Sequence, residues 1–274
     1  MVSQYQQELK TILSTLKEFA PGNFQVISPD VPPETMELLK TIDSVLPSDS
    51  YISRSWLLQQ LHLLGPGLSD EQKKAIKEGI KFFDNHREDY TKIKEDPTFE
   101  HINQIGLANC GELAAVVVSE FQKGMDISHA DIKGYTFFRL AVDYRNFLAD
   151  SMPSMKNMDS LRHIFLAYST DKNATLEDIV KSFCQSDSPQ ALDLWSRKAG
   201  NTRALIDDIL DAAKSNNATL KIQDPRTGET AKLSYDKEKN TFSVQKPQGL
   251  CAYFTELKNK GPGIVLDSNK QPEL

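Results

Sequence analysis

Of the three cysteines in this 274-residue chain, Cys110 has the context best suited to chemistry. It stands in Gln104-Ile-Gly-Leu-Ala-Asn-Cys-Gly-Glu-Leu-Ala-Ala-Val-Val-Val-Ser-Glu-Phe121. A small, turn-rich run leads into the cysteine. The residues after it predict a helix that is apolar almost all round, the pattern of a helix buried in a core. Gly124 falls where a left-handed cap would end that helix. A cysteine in the first turn lies in the positive field of the helix N-terminus, which favours the nucleophilic thiolate. Such a thiolate suits acyl transfer, which also needs a proton-accepting base and a group that orients the base.

The chain supplies candidates for both. His163 opens Arg162-His-Ile-Phe-Leu-Ala-Tyr-Ser, a predicted strand whose alternation puts His163, Phe165 and Ala167 on one face. Asp193 stands in Ala-Leu-Asp-Leu-Trp, flanked by apolar residues. A lone carboxylate there is costly unless paired, and an imidazole N–H from His163 is a fitting partner. His129, in Asp-Ile-Ser-His-Ala-Asp, is the rival base, with Asp143 to orient it. It falls in a connecting loop, a poorer mount than a strand. Plainer readings compete. A cysteine on a buried helix is more often packing. A half-buried histidine is often simply satisfied, and an aspartate often caps a turn. Cys184 and Cys251 have no histidine in matching context and read as small apolar residues.

The elements that must position these residues are legible in part. Residues 1–100 read as helices. Residues 4–19 carry Leu9, Ile12, Leu13 and Leu16 at helical spacing, and Ala20-Pro-Gly-Asn breaks the run. Pro32-Pro-Glu begins a second helix with Met36, Leu38, Leu39, Ile42 and Val45. Residues 53–64 form a third, ended by Gly65-Pro-Gly. Ser69-Asp-Glu-Gln signals a fourth, reaching about His86 and burying Ile76, Ile80, Phe82 and Phe83. Trp56, Leu57, Leu61 and Leu64 read as core, or as a partner-binding patch if they face outward. Residues 87–96 read as a charged, loosely patterned stretch.

Beyond Cys110 the character changes. Strands are predicted at 135–142, 162–169 and 190–195, with a loop at 147–158 and a helix from Thr175 to about Cys184. A helix over 202–214 precedes three strands at 219–223, 231–235 and 241–245, joined by tight turns such as Asp224-Pro-Arg-Thr-Gly-Glu. A last helix over 249–258 and a polar tail over 261–274 complete the reading.

Composition narrows the function classes. Hydrophobic residues are 39% and charged residues 26%, enough for a core in an ordinary globular chain. A net charge of −6 argues against nucleic acid as the main partner, because phosphates call for a basic face. No apolar run is long enough for a membrane-spanning helix. Met1-Val-Ser-Gln-Tyr-Gln-Gln-Glu carries no basic or apolar leader pattern, so no Sec-type signal is expected. The odd cysteine count suggests reduced thiols in a reducing compartment. Scattered histidines and the lack of any CxxC pair speak against a structural zinc site.

Cysteine opening a central buried helix, then histidine opening a strand, then aspartate on the next strand, resembles the papain-like and transglutaminase-like cysteine enzymes. Asn109-Cys-Gly-Glu-Leu-Ala is similar to the nucleophile segment of such domains in effectors of intracellular bacterial pathogens. His163-Ile-Phe-Leu resembles the histidine strand of that group. Leu192-Asp-Leu-Trp resembles its aspartate segment, often written Asp-Pro-Trp or Asp-Ala-Trp. The likeness covers about residues 99–200. It departs at Leu194, where the family has proline or a small residue, and in lacking the tryptophan that transglutaminases carry on the histidine strand.

The resemblance implies an α+β fold, with a buried central helix carrying the cysteine against an antiparallel sheet. Residues 1–98 would form a helical N-terminal region and 99–200 the cysteine-enzyme core. Residues 201–260 would complete or extend it, with a flexible tail at 261–274. Cys110 would be the nucleophile, His163 the base and acid, and Asp193 the orienter. Gln104 or Asn109 would donate to the oxyanion beside the Cys110 backbone N–H. No metal or organic cofactor is implied. The implied activity is thioester-forming acyl transfer on a protein substrate, as a protease, deubiquitinase, deamidase or transglutaminase. Its implied setting is the host cytosol, reached through a bacterial secretion apparatus. The alternative is a non-catalytic binding protein on the same scaffold, with the N-terminal helices docking a host protein or a regulator.

Overall fold

In the computed structural model, residues 4–29, 31–122, 135–143, 162–185, 189–212 and 215–245 are described. The chain is α+β. Among the described residues it has nine α-helices and one mixed eight-stranded sheet in the order β1-β5-β4-β3-β2-β6-β7-β8. It divides into two units. The first comprises residues 1–25, 32–132 and 194–198; the second comprises 26–31, 133–193 and 199–274.

The first unit holds seven helices: α1 (Gln4–Leu16), α2 (Pro33–Val45), α3 (Arg54–Leu64), α4 (Asp70–Asn85), α5 (Arg87–Glu95), α6 (Phe99–Ile105) and α7 (Cys110–Gln122). The fourth starts as its residues dictate. Ser69 and Gln72 exchange side-chain-to-backbone hydrogen bonds of 2.9 and 3.2 Å in a capping box. Leu9, Leu16, Phe19, Leu57, Ile76, Phe82 and Phe83 bury their side chains together, joined by Ile52 and Leu107. Leu57 is therefore core, whereas Leu63 and Leu64 at the end of α3 are about half exposed.

Two helices lie where no clear element was legible. The charged stretch 87–96 is α5. Ile93, fully buried, and half-buried Tyr90 give it one apolar stripe at i, i+3 spacing. The turn-rich approach to Cys110 contains α6, capped at its start by the Thr98 hydroxyl on the His101 N–H and ended by Gly106 at φ 68°. Glycine suits this left-handed position. The space on its Cα is also taken, because an added Cβ would run into the Leu9 side chain.

In the second unit β2 (Thr136–Asp143) and β3 (Arg162–Ser169) pair antiparallel, and β6 (Asn217–Gln223), β7 (Thr230–Asp236) and β8 (Thr241–Gln245) extend the sheet beyond β2. On the other side β4 (Gln190–Asp193) pairs with β3. Next come β5 (Lys198–Asn201) and β1 (Gln25–Val26). The register aligns Ala167, Phe165 and His163 with Phe138, Leu140 and Val142 on one face. Ile222 and Leu220, then Ala231 and Leu233, continue that apolar layer. Helices α8 (Leu176–Cys184) and α9 (Thr202–Ala212) supply Ile179, Val180, Phe183, Leu205, Ile206 and Leu210 to the same core.

The strand expected at 190–195 is shorter. It stops at Asp193, and Leu194 to Arg197 form a four-residue turn into β5. Strands β1 and β5, of two and four residues, fall below the length at which alternation can be read. The expected helix end at Gly124, the loop at 147–158, the helix at 249–258 and the tail lie outside the described residues.

Gly106→Ala should lower stability by about 1–3 kcal/mol, through the strained φ and the clash with Leu9. Thermal unfolding followed by circular dichroism measures this, and an unchanged melting temperature would contradict the role given to Gly106.

Candidate active site

Cys110 belongs to the first unit, and His163 and Asp193 to the second. The segment leading into Cys110 is built by strapping residues 106–109 to residues 52–55. The Ile52 N–H bonds the Gly106 carbonyl at 2.8 Å, and the Ala108 N–H bonds the Ile52 carbonyl at 3.1 Å. Leu107 and Ala108 are fully buried between these bonds. Asn109 then serves as the residue before α7, its carbonyl accepting the first helical N–H, from Leu113, at 3.0 Å. Half-buried Cys110 opens the helix. Beyond it Leu113, Ala114, Val116 and Val117 are essentially inaccessible, as expected of a core helix.

The Asn109 side chain locks this turn from outside. Its Oδ1 accepts from Ser53 Oγ at 3.1 Å, Ser55 N at 3.1 Å and Ser55 Oγ at 2.9 Å. Ser53 is itself held. It caps α3 through the Trp56 N–H and accepts from the Trp195 indole at 2.9 Å. Trp195 stands edge-on to Trp56, with ring centroids 5.1 Å apart. On its other side Asn109 Nδ2 donates to the Tyr90 hydroxyl at 3.3 Å. Burial above all, and then the Glu112 carboxylate that the hydroxyl meets, pushes Tyr90 well above the usual phenol value. Tyr90 thus remains a proton donor at any ordinary pH.

The two oxyanion candidates fare differently. Gln104 is exposed on α6, and its side-chain amide donates to Glu100 Oε1 at 2.8 Å, one turn back. Asn109 has its carbonyl oxygen filled by three donors, which makes it an anchor of the turn. Tyr90, Ser53 and Ser55 were missed as partners of the cysteine segment. The signal for Tyr90 was its spacing from Ile93 in the charged stretch. That for Ser53 was its place just before a helix.

The second unit holds an imidazole–carboxylate pair. His163 Nε2 lies 2.7 Å from Asp193 Oδ2, and both side chains are about 3% exposed. The geometry follows from register. Leu166 faces Leu192 across β3 and β4, so Asp193 lies beside Phe165 and diagonal to His163 on the same face. The Phe165 ring stacks against the imidazole at 5.9 Å. Because the carboxylate accepts, Nε2 carries the hydrogen, and in the neutral ring Nδ1 then holds the lone pair. A buried imidazole fixed in this tautomer is an oriented proton acceptor.

His129 lies outside the described residues, and so does Cys251. Asp143 is the last residue of β2, opposite Arg162. Among the described residues no cluster of three or more histidine, cysteine, aspartate or glutamate side chains is placed to hold a metal ion. Comparison with known proteins finds no match: no family model, no curated protein and no solved structure resembles the chain, and none identifies a papain-like or transglutaminase-like relative.

Two outcomes are expected. Burial pushes the Cys184 thiol from its usual value near 9 up to about 11. Its ionisation is thus deferred in the folded state, and the stability this contributes is present below about pH 9 and lost as pH rises through about 11. Peptide mapping after alkylation should find Cys184 unmodified at pH 8 in folded protein and modified as pH approaches 11. Asp193→Ala should cost about 2–4 kcal/mol by stranding a buried imidazole, whereas Asp193→Asn, whose amide oxygen still accepts, should cost less. Denaturant unfolding of the two variants tests this order, and equal losses would refute the pairing.

Proposed function

We propose that the protein is a cysteine-dependent acyl-transfer enzyme acting on protein substrates, with Cys110 as nucleophile, His163 as base and acid, and Asp193 as orienter. The observation that carries the proposal is the buried hydrogen bond between His163 and Asp193. A carboxylate placed among apolar strand residues is expensive, and an imidazole oriented by it has an evident chemical use. The start of α7 at Cys110 supports the same reading, as does the resemblance to papain-like and transglutaminase-like effector domains.

In this mechanism His163 Nδ1 takes the Cys110 proton, and the sulfur attacks a substrate amide carbonyl. The C–N bond breaks as the imidazolium returns the proton to the departing amine, leaving a thioester. Asp193 keeps Nε2 protonated and stabilises the imidazolium. Water then resolves the thioester in a protease, deubiquitinase or deamidase, and a lysine amine resolves it in a transglutaminase. The Cys110 backbone N–H is the first oxyanion donor. No metal or organic cofactor is required. By the same resemblance the substrates are proteins of a host cell, entered through a bacterial secretion apparatus. Among the described residues no helix is long and apolar enough to cross a membrane.

A second reading, a binding protein on this scaffold, draws on the adjacent exposed Leu63 and Leu64 at the end of α3, a small apolar patch on the N-terminal helices. Iodoacetamide labelling at pH 7 separates the two. For an enzyme, Cys110 reacts far faster than the other thiols, Cys110→Ala removes the fast phase, and His163→Ala slows it on the order of tenfold or more. Equal, slow labelling of all three cysteines would sink the enzyme reading. Mass analysis of a modified substrate then distinguishes deamidation, cross-linking and cleavage.

A further inference from the structure

The face of the sheet turned away from α8 and α9 carries charges that the proposed chemistry does not use. Alternation sends Leu220, Ile222, Ala231 and Leu233 into the core, so Lys221 on β6 and Lys232 on β7 project from the opposite face, where both are exposed. The antiparallel register sets Lys221 directly across from Lys232. Like charges in such a pair repel and weaken the sheet. Arg139, half-buried on β2, lies diagonal to Lys221, because Lys221 pairs with Ala141, two residues along the strand. The three cations thus span three adjacent strands. Among the described residues, Lys237 and Lys239 in the turn after β7 hold Asp211 and Asp236, whereas no ion pair reaches Arg139, Lys221 or Lys232. Two carboxylates share the face: Asp143, diagonal to Lys221 on its other side, and Asp236, held by Lys239.

We propose that this face is a docking surface for an acidic segment of a partner protein, an extended stretch with Asp or Glu at alternate positions. Charge complementarity selects the partner, which relieves the repulsion between the opposed lysines. Carboxylates at alternate positions of an extended chain lie about 7 Å apart, the spacing of diagonal neighbours on a sheet. Thr219, Gln223 and Ser234 lie among the cations and offer hydrogen bonds to peptide groups. Nucleic acid is the rival polyanion. The outward side chains of β6 and β7 include no aromatic ring on which bases could stack, and the chain as a whole carries a net charge of −6. His163 and Asp193 project from the other face of the sheet. Docking therefore leaves them untouched, and the inference holds whether or not the chain is an enzyme.

The probe is a fluorescein-labelled octaglutamate peptide, titrated with the full chain at pH 7 in low salt and read by fluorescence anisotropy. Saturable binding is expected, and it should weaken several-fold between about 0.05 and 0.2 M salt, because exposed charges are screened. Lys221→Ala combined with Lys232→Ala should weaken it about fivefold or more, the worth of two exposed ion pairs. Lys232→Glu is the sharper variant. It sets opposite charges across the strands, so by circular dichroism it should melt no lower than wild type, yet it should bind the peptide more weakly still. No saturable binding to wild type, or unchanged binding in either variant, overturns the inference. Each variant is judged alone, so one that fails to fold leaves the other to decide. An oligothymidylate of the same length that binds as tightly as the peptide also overturns it, because the face then answers to charge alone. The enzyme reading is tested apart, by Cys110 labelling, which neither variant should change.

Discussion

A carboxylate with 3% of its surface exposed, bonded to an imidazole equally buried, sets the terms for the second unit. Taking an unpaired carboxylate out of water costs several kcal/mol, so Asp193 can lie in the apolar layer of the sheet only with a donor in reach. The diagonal from β4 to β3 provides that donor at 2.7 Å. Register is therefore not free. A slip of one residue between these strands would turn Asp193 to the opposite face and leave His163 facing apolar side chains. The layer of Phe138, Leu140, Phe165, Ala167 and Ala191, covered by α8 and α9, holds the register in place.

The first unit solves a different problem, which is to present the start of a buried helix. Helix starts carry unsatisfied N–H groups and a partial positive charge, and neither tolerates disorder in the preceding turn. Here the turn is fixed by backbone bonds to Ile52, by the left-handed Gly106 and by an asparagine that takes three donors. The side chain of Trp195 reaches the same network through Ser53. Arg197, two residues further, adopts φ 55°, unusual for a side chain of its size. Its guanidinium, bonded to Asp43 and the Leu46 carbonyl and lying over the Phe24 ring, holds that turn against α2. These contacts account for the chain leaving strand at Asp193, where apolar alternation alone would carry it on to Trp195.

Much of the α+β pattern was legible because the signals were long or chemically specific. The Ser69–Gln72 capping box, the Thr175 start of α8, the apolar run of α7 and the alternation of β3 each depend on neighbours close in sequence. What escaped was short or charged. Strands β1 and β5 have too few residues to show a period. The apolar stripe of α5 rests on Tyr90 and Ile93 among charged neighbours.

The sequence by itself determined the chemical types and their local mounts: a cysteine at a helix start, a histidine at a strand start and an aspartate among apolar strand residues. Those depend on capping and periodicity, which act over a few residues. Tertiary structure decided the partners. That His163 meets Asp193, that Asn109 is filled by Ser53 and Ser55, and that Tyr90 from a charged helix comes to Glu112 all join residues 20 to 60 positions apart. Such pairings are set by strand register and helix packing, whose energies belong to many side chains at once and leave no mark on any short stretch of sequence.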